Sequence, residues 1–315
     1  MGIAFVFPGQ GSQSVGMMAG FDAHPAIRAT FDEASEVLGQ DLWALVTTGP
    51  EADLNQTVNT QPVMLAAGVA VWRAWNDAGG AKPEFVAGHS LGEYTALVAA
   101  GAIAFGDAVP LVRYRAAAMQ EAVPSGVGAM AAILGLDAAS VAGVCAETVA
   151  RMGSGRVVEP VNFNGPEQIV IAGHKDAVEA AIELATEKGA KRGVLLPVSA
   201  PFHSSLMRPA AERLSARLAA VPIAPPSIPV LHNVDVKARD SADAIRSALA
   251  QQAAAPVRWV ETIQAFAARG VTHVVECGPG RVLAGLNKRI ARELKSLALT
   301  DGADLDAAKS ALAAK

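Results

Sequence analysis

The chain has 315 residues, of which 51% are hydrophobic and 18% charged, and its formal net charge is −4. This composition excludes a disordered chain and gives no sign that nucleic acid is the main partner. The length suits one large domain or two modest ones. The longest apolar stretch, residues 96–105, is too short to span a bilayer, and no positively charged segment precedes the apolar residues 3–7. Two widely separated cysteines, Cys145 and Cys277, indicate reduced thiols in a cytoplasmic protein.

Short apolar strands alternate with helical patterns in the first part of the chain. The predicted elements are, in chain order, a strand at Ile3–Phe7, a helix at Pro25–Leu38, a helix from Thr60–Pro62 to Gly79–Gly80, a strand at Phe85–Ala87, a helix at Glu93–Ala100 and a helix at Asp107–Val123. The second helix is expected to begin at Thr60–Pro62 because proline is favoured in a first turn. Alternation of this kind is typical of an α/β fold with a mainly parallel sheet.

The pattern changes after the break at Pro124–Gly126. The predicted elements of the next segment are a strand at Ala129–Leu134, a helix at Ala138–Ala150, strands at Val157–Asn162 and Gln168–Ala172, a helix at Ala177–Lys188 and a strand at Val194–Val198. This βαββαβ order predicts a ferredoxin-like small subdomain, residues 126–198, inserted into a large subdomain of residues 1–125 and 199–315. Further elements are predicted at Val230–Leu231, Ile245–Gln251, Val257–Ala268 and Val271–Glu276.

The segment Gly88–Gly92 fits G-x-S-x-G, the pattern of a nucleophile elbow. A predicted strand precedes it and a predicted helix follows, which is the context that this motif requires. The sharp turn exposes the hydroxyl of Ser90, and the helix N-terminus offers backbone N–H groups to a developing oxyanion. Together with the parallel sheet, the elbow predicts an α/β-hydrolase-like core. The alternative is an ordinary glycine-rich turn.

Six histidines could supply the base that such a serine needs, and His203 suits the role best. It lies in the loop Ser199–Ser204, just after a predicted strand, where we expect a mobile, solvent-reachable imidazole. His89 adjoins Ser90 but should point away from it on an elbow, and helix capping explains His174. The others are interpreted as surface or core-edge residues: His24, His232 and His273. The alternative for His203 is a structural loop histidine.

No acid stands out as the group that would orient the imidazole. Asp235 and Glu276 follow His203 in sequence, but neither has a distinctive setting. The chain order Ser, Asp, His of ordinary α/β-hydrolases would need an acid between Ser90 and His203, where the inserted unit occupies most of the interval. The sequence therefore argues against the usual triad.

Two arginines on the long helix after the elbow, Arg113 and Arg115, flank its apolar stripe, so periodicity does not choose between them. An arginine turned towards the core would need an anionic partner. A substrate carboxylate would serve, because guanidinium binds carboxylate in a bidentate fork. The alternative is a solvated helix face.

Eight motifs follow one another in an order that is far more specific than any one of them: Phe5–Gln13, Asn59–Pro62, Ala87–Glu93, Arg115 with Met119-Gln120, Asn162–Pro166, Ala200–Ser204, Pro256–Trp259 and Glu276–Gly280. With this series, the sequence resembles the malonyl-CoA:acyl carrier protein transacylase family of dissociated fatty acid synthesis. The resemblance runs from Ala4 to about Ile290.

The resemblance implies a role for each residue of the site. Ser90 would be the acylated nucleophile, and His203 the general base, held by the backbone carbonyl of Gln252 instead of an acid. Arg115 would bind the free carboxylate of the malonyl group. Two backbone N–H groups would form the oxyanion hole: those of Gln10 and Leu91. Three further side chains would line the pocket: Gln61, Asn162 and Phe202, of which the phenylalanine before the histidine goes with malonyl in related acyltransferases.

The resemblance also implies the reaction and its partners. A malonyl group would pass from malonyl-CoA to the phosphopantetheine thiol of acyl carrier protein through malonyl-Ser90, with no metal or other cofactor. Carrier proteins of this type are acidic, so basic side chains should ring the cleft. The candidates are clustered in sequence, each with a solvated face as the alternative: Lys188, Lys191, Arg192, Lys288 and Arg289. We expect a monomer that binds neither nucleic acid nor membrane.

Two other functions compete with this one. A thioesterase or esterase would use the same serine elbow, and a catalytically idle protein could dock carrier proteins without transferring anything. An arginine for a substrate carboxylate and the absence of a triad acid separate the transferase from the hydrolase. The sequence leaves open whether the carrier serves fatty acid or polyketide assembly.

Overall fold

The computed structural model describes residues 2–21, 24–153, 155–198 and 200–313. The remaining positions lie outside this description, among them Ser199 at the start of the predicted histidine loop. Within the described ranges, every helix is too short or too polar to cross a membrane. The strands of these ranges are β1 (Gly2–Phe7), β2 (Phe85–Gly88), β3 (Gly128–Leu134), β4 (Val158–Gly165), β5 (Gln168–His174), β6 (Arg192–Leu195), β7 (Val230–Leu231), β8 (Val271–Cys277) and β9 (Lys295–Leu299).

Helices occupy most of the sequence between the strands. In chain order they are α1 (Pro25–Leu38), α2 (Leu42–Thr48), α3 (Glu51–Leu54), α4 (Thr57–Asp77), α5 (Gly92–Ala99), α6 (Phe105–Glu121), α7 (Ala138–Met152), α8 (Lys175–Glu187), α9 (Arg208–Leu218), α10 (Ala242–Gln252), α11 (Trp259–Ala268), α12 (Val282–Ile290) and α13 (Gly302–Ala313). Short 3-10 helices lie at Ala19–Phe21 and Ser205–Met207.

Five strands form a parallel sheet in the order β7-β2-β1-β8-β9. Helices cover both faces, so β1 is apolar on both sides. Phe5 packs edge-on against Trp72 of α4, with ring centroids 5.4 Å apart. On the opposite face Val6 belongs to the same apolar cluster as Trp259 of α11. The structure confirms the predicted α/β fold with its parallel sheet, and it places β2 and the turn after it beside the centre of that sheet.

A separate antiparallel sheet has the order β4-β5-β3-β6. One face packs on α7 and α8 through residues such as Ala131 and Ile133 of β3. The alternate residue Met130 belongs to the main cluster of the larger part. Because side chains alternate along a strand, β3 covers its own helices with one face and the parallel-sheet unit with the other. A cavity lies where the two parts meet.

Two predicted boundaries are wrong. The helix expected to begin at Thr60–Pro62 already begins at Thr57, and Pro62 lies inside it. The amides of Asn59 and Thr60 both bond to Gln56 O at 2.8 Å, so the first turn forms before the proline. Proline then removes one backbone bond from a helix that is buried along nearly its whole length, and packing maintains it.

The strand expected at Val194–Val198 is Arg192–Leu195 in the structure. Its pairing with β3 begins at Arg192 opposite Leu134, and the apolar residues that follow the strand leave the sheet. Leu196 and Val198 instead line the cavity. Several later elements had no counterpart in the prediction: α9, α12, β9 and α13.

Candidate active site

Ser90 lies on a sharp turn between β2 and α5, with a φ of 51°. This left-handed backbone is strained for serine, and the neighbouring glycines make it possible. A Cβ on Gly88 would lie 1.8 Å from the carbonyl carbon of Gly92, and one on Gly92 would lie 2.0 Å from the oxygen of Phe7. Both positions therefore require glycine for close backbone approach, as the elbow pattern predicts.

Asn233 fixes this turn from the loop after β7. Its Oδ1 accepts a hydrogen bond from the amide of Ser90 at 2.8 Å, and its Nδ2 donates to the carbonyl of Gly88 at 2.7 Å. One buried amide therefore satisfies the backbone donor of the strained residue and a backbone acceptor two residues before it. No local pattern in the sequence indicates Asn233, because 143 positions separate it from Ser90 and no spacing links them.

His203 lies against the serine. Its Nε2 is 2.7 Å from Ser90 Oγ, and its Nδ1 is 2.9 Å from the backbone oxygen of Gln252. A carbonyl can only accept, so Nδ1 carries the proton and Nε2 is free to accept one. Its φ of 67° is again in the left-handed region. The imidazole is held without a carboxylate.

The expected solvent-reachable histidine is wrong, since His203 is only 4% exposed. Burial and, to a lesser extent, the Arg115 cation lower its pKa to about 3, against the opposing effect of the bond to Gln252. The group is therefore neutral near pH 7. The loop prediction failed on exposure because α9 and the antiparallel sheet pack over a segment that has no regular structure of its own.

Of the two arginines on α6, Arg115 points inward and is 1% exposed. It donates to Gln61 Oε1 and Gln252 Oε1 at 2.8 Å each, and to Ser90 Oγ at 3.1 Å. All of these acceptors are uncharged, and Nε has none in the described part of the chain. Burial lowers the pKa of Arg115, the direction expected of a cation that has no direct hydrogen bond to a carboxylate. Arg113 is half-buried and bonds to Gln40 instead.

A cavity of about 100 Å³ lies above the serine, between the two sheets. Its lining includes nearly all of the predicted site residues: Gln10, Gln61, Ser90, Leu91, Arg115, Asn162, Phe202 and His203. Met119 and Met130 add apolar walls from α6 and β3. Gln252 is the one predicted residue outside the lining, and it lies behind His203 and Arg115.

Two features of this cavity suit an acyl group. Neither the Gln10 nor the Leu91 amide nitrogen has an acceptor among the described residues, so both are available to an oxyanion. The buried Oδ1 of Asn162 likewise lacks a partner among them. A cation, a neutral base, a hydroxyl and unpaired polar atoms thus converge on one enclosed space, which is the arrangement expected for acyl transfer of a carboxylated substrate.

Comparison with known proteins identifies the family. Residues 4–308 match the family model described as acyl transferase domain. The chain is 54% identical over 306 residues to the malonyl CoA-acyl carrier protein transacylase of Salmonella typhimurium, covering 97% of this chain and 98% of that protein. The chain belongs to the malonyl CoA-acyl carrier protein transacylase family. The resemblance drawn from the ordered motifs is thereby confirmed.

Solved structures of this transacylase family have the same fold. The acyl-carrier-protein S-malonyltransferase of Burkholderia pseudomallei is 60% identical, with a TM-score of 0.96, over 98% of this chain and 100% of that chain. A malonyl-transacylase solved in complex with a type II PKS acyl-carrier protein is 51% identical, with a TM-score of 0.96, over 99% of this chain and 100% of that chain.

The other histidines of this transacylase have structural partners. His89 Nε2 lies 2.7 Å from Asn164 Oδ1, and burial lowers its pKa. His24 caps α1 by accepting from an amide at 3.3 Å. The expected cap at His174 is wrong: its side chain makes no cap bond and accepts from Val157 N at 3.0 Å. His273 lies 2.9 Å from the hydroxyl of its neighbouring threonine.

The two acids considered for the histidine also have other partners. Asp235 pairs with Arg239 at 2.9 Å. Glu276 accepts from Leu283 N and Ala284 N, at 3.1 and 2.8 Å, at the start of α12. Burial raises the pKa of Glu276 to about 7. His203 therefore faces a backbone carbonyl and neither of these acids, as the sequence indicates.

Proposed function

We propose that this chain transfers a malonyl group from malonyl-CoA to the phosphopantetheine thiol of an acyl carrier protein, by a ping-pong mechanism through malonyl-Ser90. The observation that carries the proposal is the position of one oxygen: Ser90 Oγ lies 2.7 Å from His203 Nε2 and 3.1 Å from Arg115. A neutral base and a fixed cation thus meet at a nucleophile. Relatives named for malonyl transfer support the choice of donor and acceptor.

In the first half-reaction, Ser90 Oγ bonds to the thioester carbonyl carbon while His203 Nε2 accepts the hydroxyl proton. The carbonyl electrons move to the oxygen, which the N–H groups of Gln10 and Leu91 stabilise by roughly 3–4 kcal/mol per donor. As the tetrahedral intermediate collapses, the C–S bond breaks. CoA takes the proton from His203 and leaves as the thiol, and malonyl-Ser90 remains.

In the second half-reaction, the carrier thiol gives its proton to His203 and attacks the ester carbonyl carbon of malonyl-Ser90. The C–O bond breaks, the serine oxygen recovers the proton, and the malonyl thioester of the carrier is released. Water is the competing nucleophile. The buried setting of His203 and the apolar wall of Phe202 support a site in which the thiol reaches the ester more readily than water.

Arg115 binds the free carboxylate of the malonyl group in this mechanism. The guanidinium lies in the cavity wall with only amide and hydroxyl oxygens as acceptors. A carboxylate is a stronger partner because the hydrogen bonds become charge-assisted on both sides. Gln61 accepts from Nη1 of the cation and Gln252 from Nη2, and these bonds orient it. The same group disfavours uncharged acyl chains, since they would leave the cation unpaired.

A groove lined by basic residues supplies the surface for an acidic carrier. Lys191, Lys288 and Arg289 line one groove together with Arg292, which was not among the candidates from the sequence. Glu167 lines it too and pairs with Lys191 at 3.4 Å, which leaves the three other cations in excess. Lys188 lies elsewhere and pairs with Glu147. Arg192 is exposed on β6 but does not line this groove. We therefore narrow the docking surface to Lys191, Lys288, Arg289 and Arg292.

We also propose that the chain is divided into a large and a small subdomain of defined fold. The elbow after β2, an interior strand of the parallel sheet, supports an α/β-hydrolase-like core of residues 1–125 and 199–315. The connections β3-α7-β4-β5-α8-β6 support a ferredoxin-like subdomain of residues 126–198. A monomer acting in the cytoplasm, with Cys145 and Cys277 as buried thiols, completes the proposal.

The decisive experiment is intact-protein mass spectrometry after mixing with malonyl-CoA, acetyl-CoA or methylmalonyl-CoA. The wild-type chain should gain one malonyl group and Ser90→Ala none, and adding holo carrier protein should remove the adduct. No adduct on the wild-type chain would exclude the proposed mechanism. An adduct that decays equally fast without carrier protein would identify a hydrolase.

A further inference from the structure

The cluster behind the catalytic serine contains a carboxylate that the mechanism above does not use. Glu93 lies in the first turn of α5 and is 0% exposed. Its Oε1 is 2.7 Å from His232 Nδ1, and its Oε2 accepts from Asn233 N at 2.9 Å and from Gln252 Nε2 at 3.0 Å. A buried carboxylate is costly unless it is paired or fully hydrogen bonded, so this position calls for an explanation.

The contacts of Gln252 give Glu93 a directing role. The amide nitrogen of Gln252 donates to Glu93 and, at 2.8 Å, to the backbone oxygen of Ser90, and neither partner can donate. The amide oxygen must therefore face the other way, where Arg115 donates to it at 2.8 Å. The carboxylate and the backbone oxygen of Ser90 thus fix the orientation of the amide together. The same residue presents its backbone carbonyl to His203.

Glu93 also holds the second clamp of the elbow. Its bond to the amide of Asn233 fixes the residue whose side chain holds Ser90 and Gly88. One charged group therefore contacts both residues that orient the nucleophile, the base and the cation. No other carboxylate of the described residues has hydrogen bonds to either Gln252 or Asn233.

Charge adds a second effect. The amide of Gln252 bridges the Glu93 carboxylate and the Arg115 guanidinium by one hydrogen bond to each. Burial lowers the pKa of Arg115, while attraction to Tyr94 and Glu93 opposes this. Glu93 therefore offsets part of the buried positive charge while the cavity contains no substrate carboxylate.

We propose that Glu93 is a positioning residue, which orients Gln252 and Asn233 and moderates the field of Arg115 at the acyl site. The inference rests on the proposed malonyl transfer. Removing the charge should strengthen the attraction of Arg115 for a carboxylated acyl group and, at the same time, loosen the arrangement of base and nucleophile. The affinity for malonyl-CoA should therefore rise while the turnover rate falls.

The test uses Glu93→Gln, which keeps the size of the side chain and one acceptor oxygen. For malonyl-CoA we expect KM and kcat both to fall, kcat by about tenfold. The KM for acetyl-CoA, which has no carboxylate, should stay within about twofold. The matched control is Glu276→Gln, because Glu276 is also a buried carboxylate, 1% exposed, but contacts only the start of α12.

The outcomes separate this inference from the proposed function. Glu276→Gln can lower the fraction of enzyme that is folded and can be acylated. If Glu93→Gln does only the same, and kcat per active site and KM stay unchanged, then Glu93 is merely structural and the inference is wrong. An unchanged or raised KM for malonyl-CoA also overturns it. If the wild-type chain itself forms no malonyl-Ser90 adduct, the proposed function fails instead.

Discussion

Arg115 donates a hydrogen bond to the Oγ of Ser90 over 3.1 Å, at the same oxygen that lies 2.7 Å from His203 Nε2. The cation favours negative charge on this oxygen as the proton leaves, but it also lowers the affinity of the imidazole for that proton. A substrate carboxylate that paired with the guanidinium would weaken both effects, so the charge of the acyl group should alter the activation of Ser90.

Replacing Arg115 should change acyl selection. With Arg115→Ala, we expect kcat/KM for malonyl-CoA to fall about 100- to 1000-fold, because the substrate carboxylate is then buried without its partner. Acetyl-CoA should lose far less. Arg113→Gln is the control, since Arg113 lies on the same helix and bonds to Gln40 outside the cavity. A variant at Arg115 that still prefers malonyl-CoA would contradict the role given to the cation.

The pH dependence of acylation should reveal the environment of His203. Burial and Arg115 lower the pKa of His203 from its ordinary value of 6.5 to about 3. The base therefore stays neutral, and active, when the pH falls below 6.5. The rate of Ser90 acylation by acetyl-CoA should therefore show its acid limb well below pH 6.5. Acetyl-CoA is the suitable donor because it leaves Arg115 uncompensated.

The same profile tests the coupling between the two groups. With Arg115→Gln the repulsion by the cation is lost, so the pKa of His203 should rise and the acid limb should move to higher pH. Arg113→Gln should leave the limb where it is in the wild-type chain. The acid limb of the wild-type chain could instead lie at about pH 6.5, or stay at the same pH in Arg115→Gln. Either result would mean that His203 is more hydrated than its burial indicates.

The glycines of the elbow should be indispensable for stability. A Cβ on Gly88 would meet the backbone of Gly92 at 1.8 Å, so Gly88→Ala should lower the free energy of unfolding by more than about 3 kcal/mol, or prevent folding. Gly143→Ala is the control, because that site in α7 has open space around it. It should stabilise the protein by about 0.5–1 kcal/mol. Urea unfolding of both variants measures the difference.

The sequence predicts those parts of the site that a local pattern encodes. The elbow, the strand before it and the helix after it depend on glycine positions and apolar runs within a few residues, so their prediction needs no tertiary knowledge. The position of His203 in a loop after a predicted strand favours it as the base. The family resemblance then selects Arg115 and adds Gln252, whose contacts with Ser90 span up to 162 positions.

What escaped prediction depends on packing between distant segments. Arg113 and Arg115 flank the same apolar stripe of α6, so periodicity does not distinguish them. Only the side of α6 that carries Arg115 faces the cavity, and Arg113 bonds to Gln40. Asn233 and Glu93 act through contacts across 140 or more positions and leave no periodic signal. The exposure expected for His203 failed for the same reason: a loop residue is buried here by elements that the local sequence does not contain.

Charge reversal in the basic groove should separate the two half-reactions. The double variant Lys288→Glu/Arg289→Glu should raise the KM for carrier protein about tenfold or more, since rim charges act chiefly on association with an acidic partner. Acylation of Ser90 by malonyl-CoA should stay within about twofold, because both side chains lie outside the acyl cavity. The effect should weaken as salt is added. Rapid-quench mixing with malonyl-CoA alone measures acylation of Ser90, and subsequent mixing with carrier protein measures the transfer to the carrier.

Lys188→Glu is the internal control for this groove. Sequence clustering placed Lys188 with the docking candidates, whereas the structure pairs it with Glu147 away from the groove. Its reversal should leave the carrier step unchanged. Equal losses from Lys188→Glu and from the double variant would mean that net charge, and not this groove, attracts the carrier. No loss from either would place the docking surface elsewhere around the cavity.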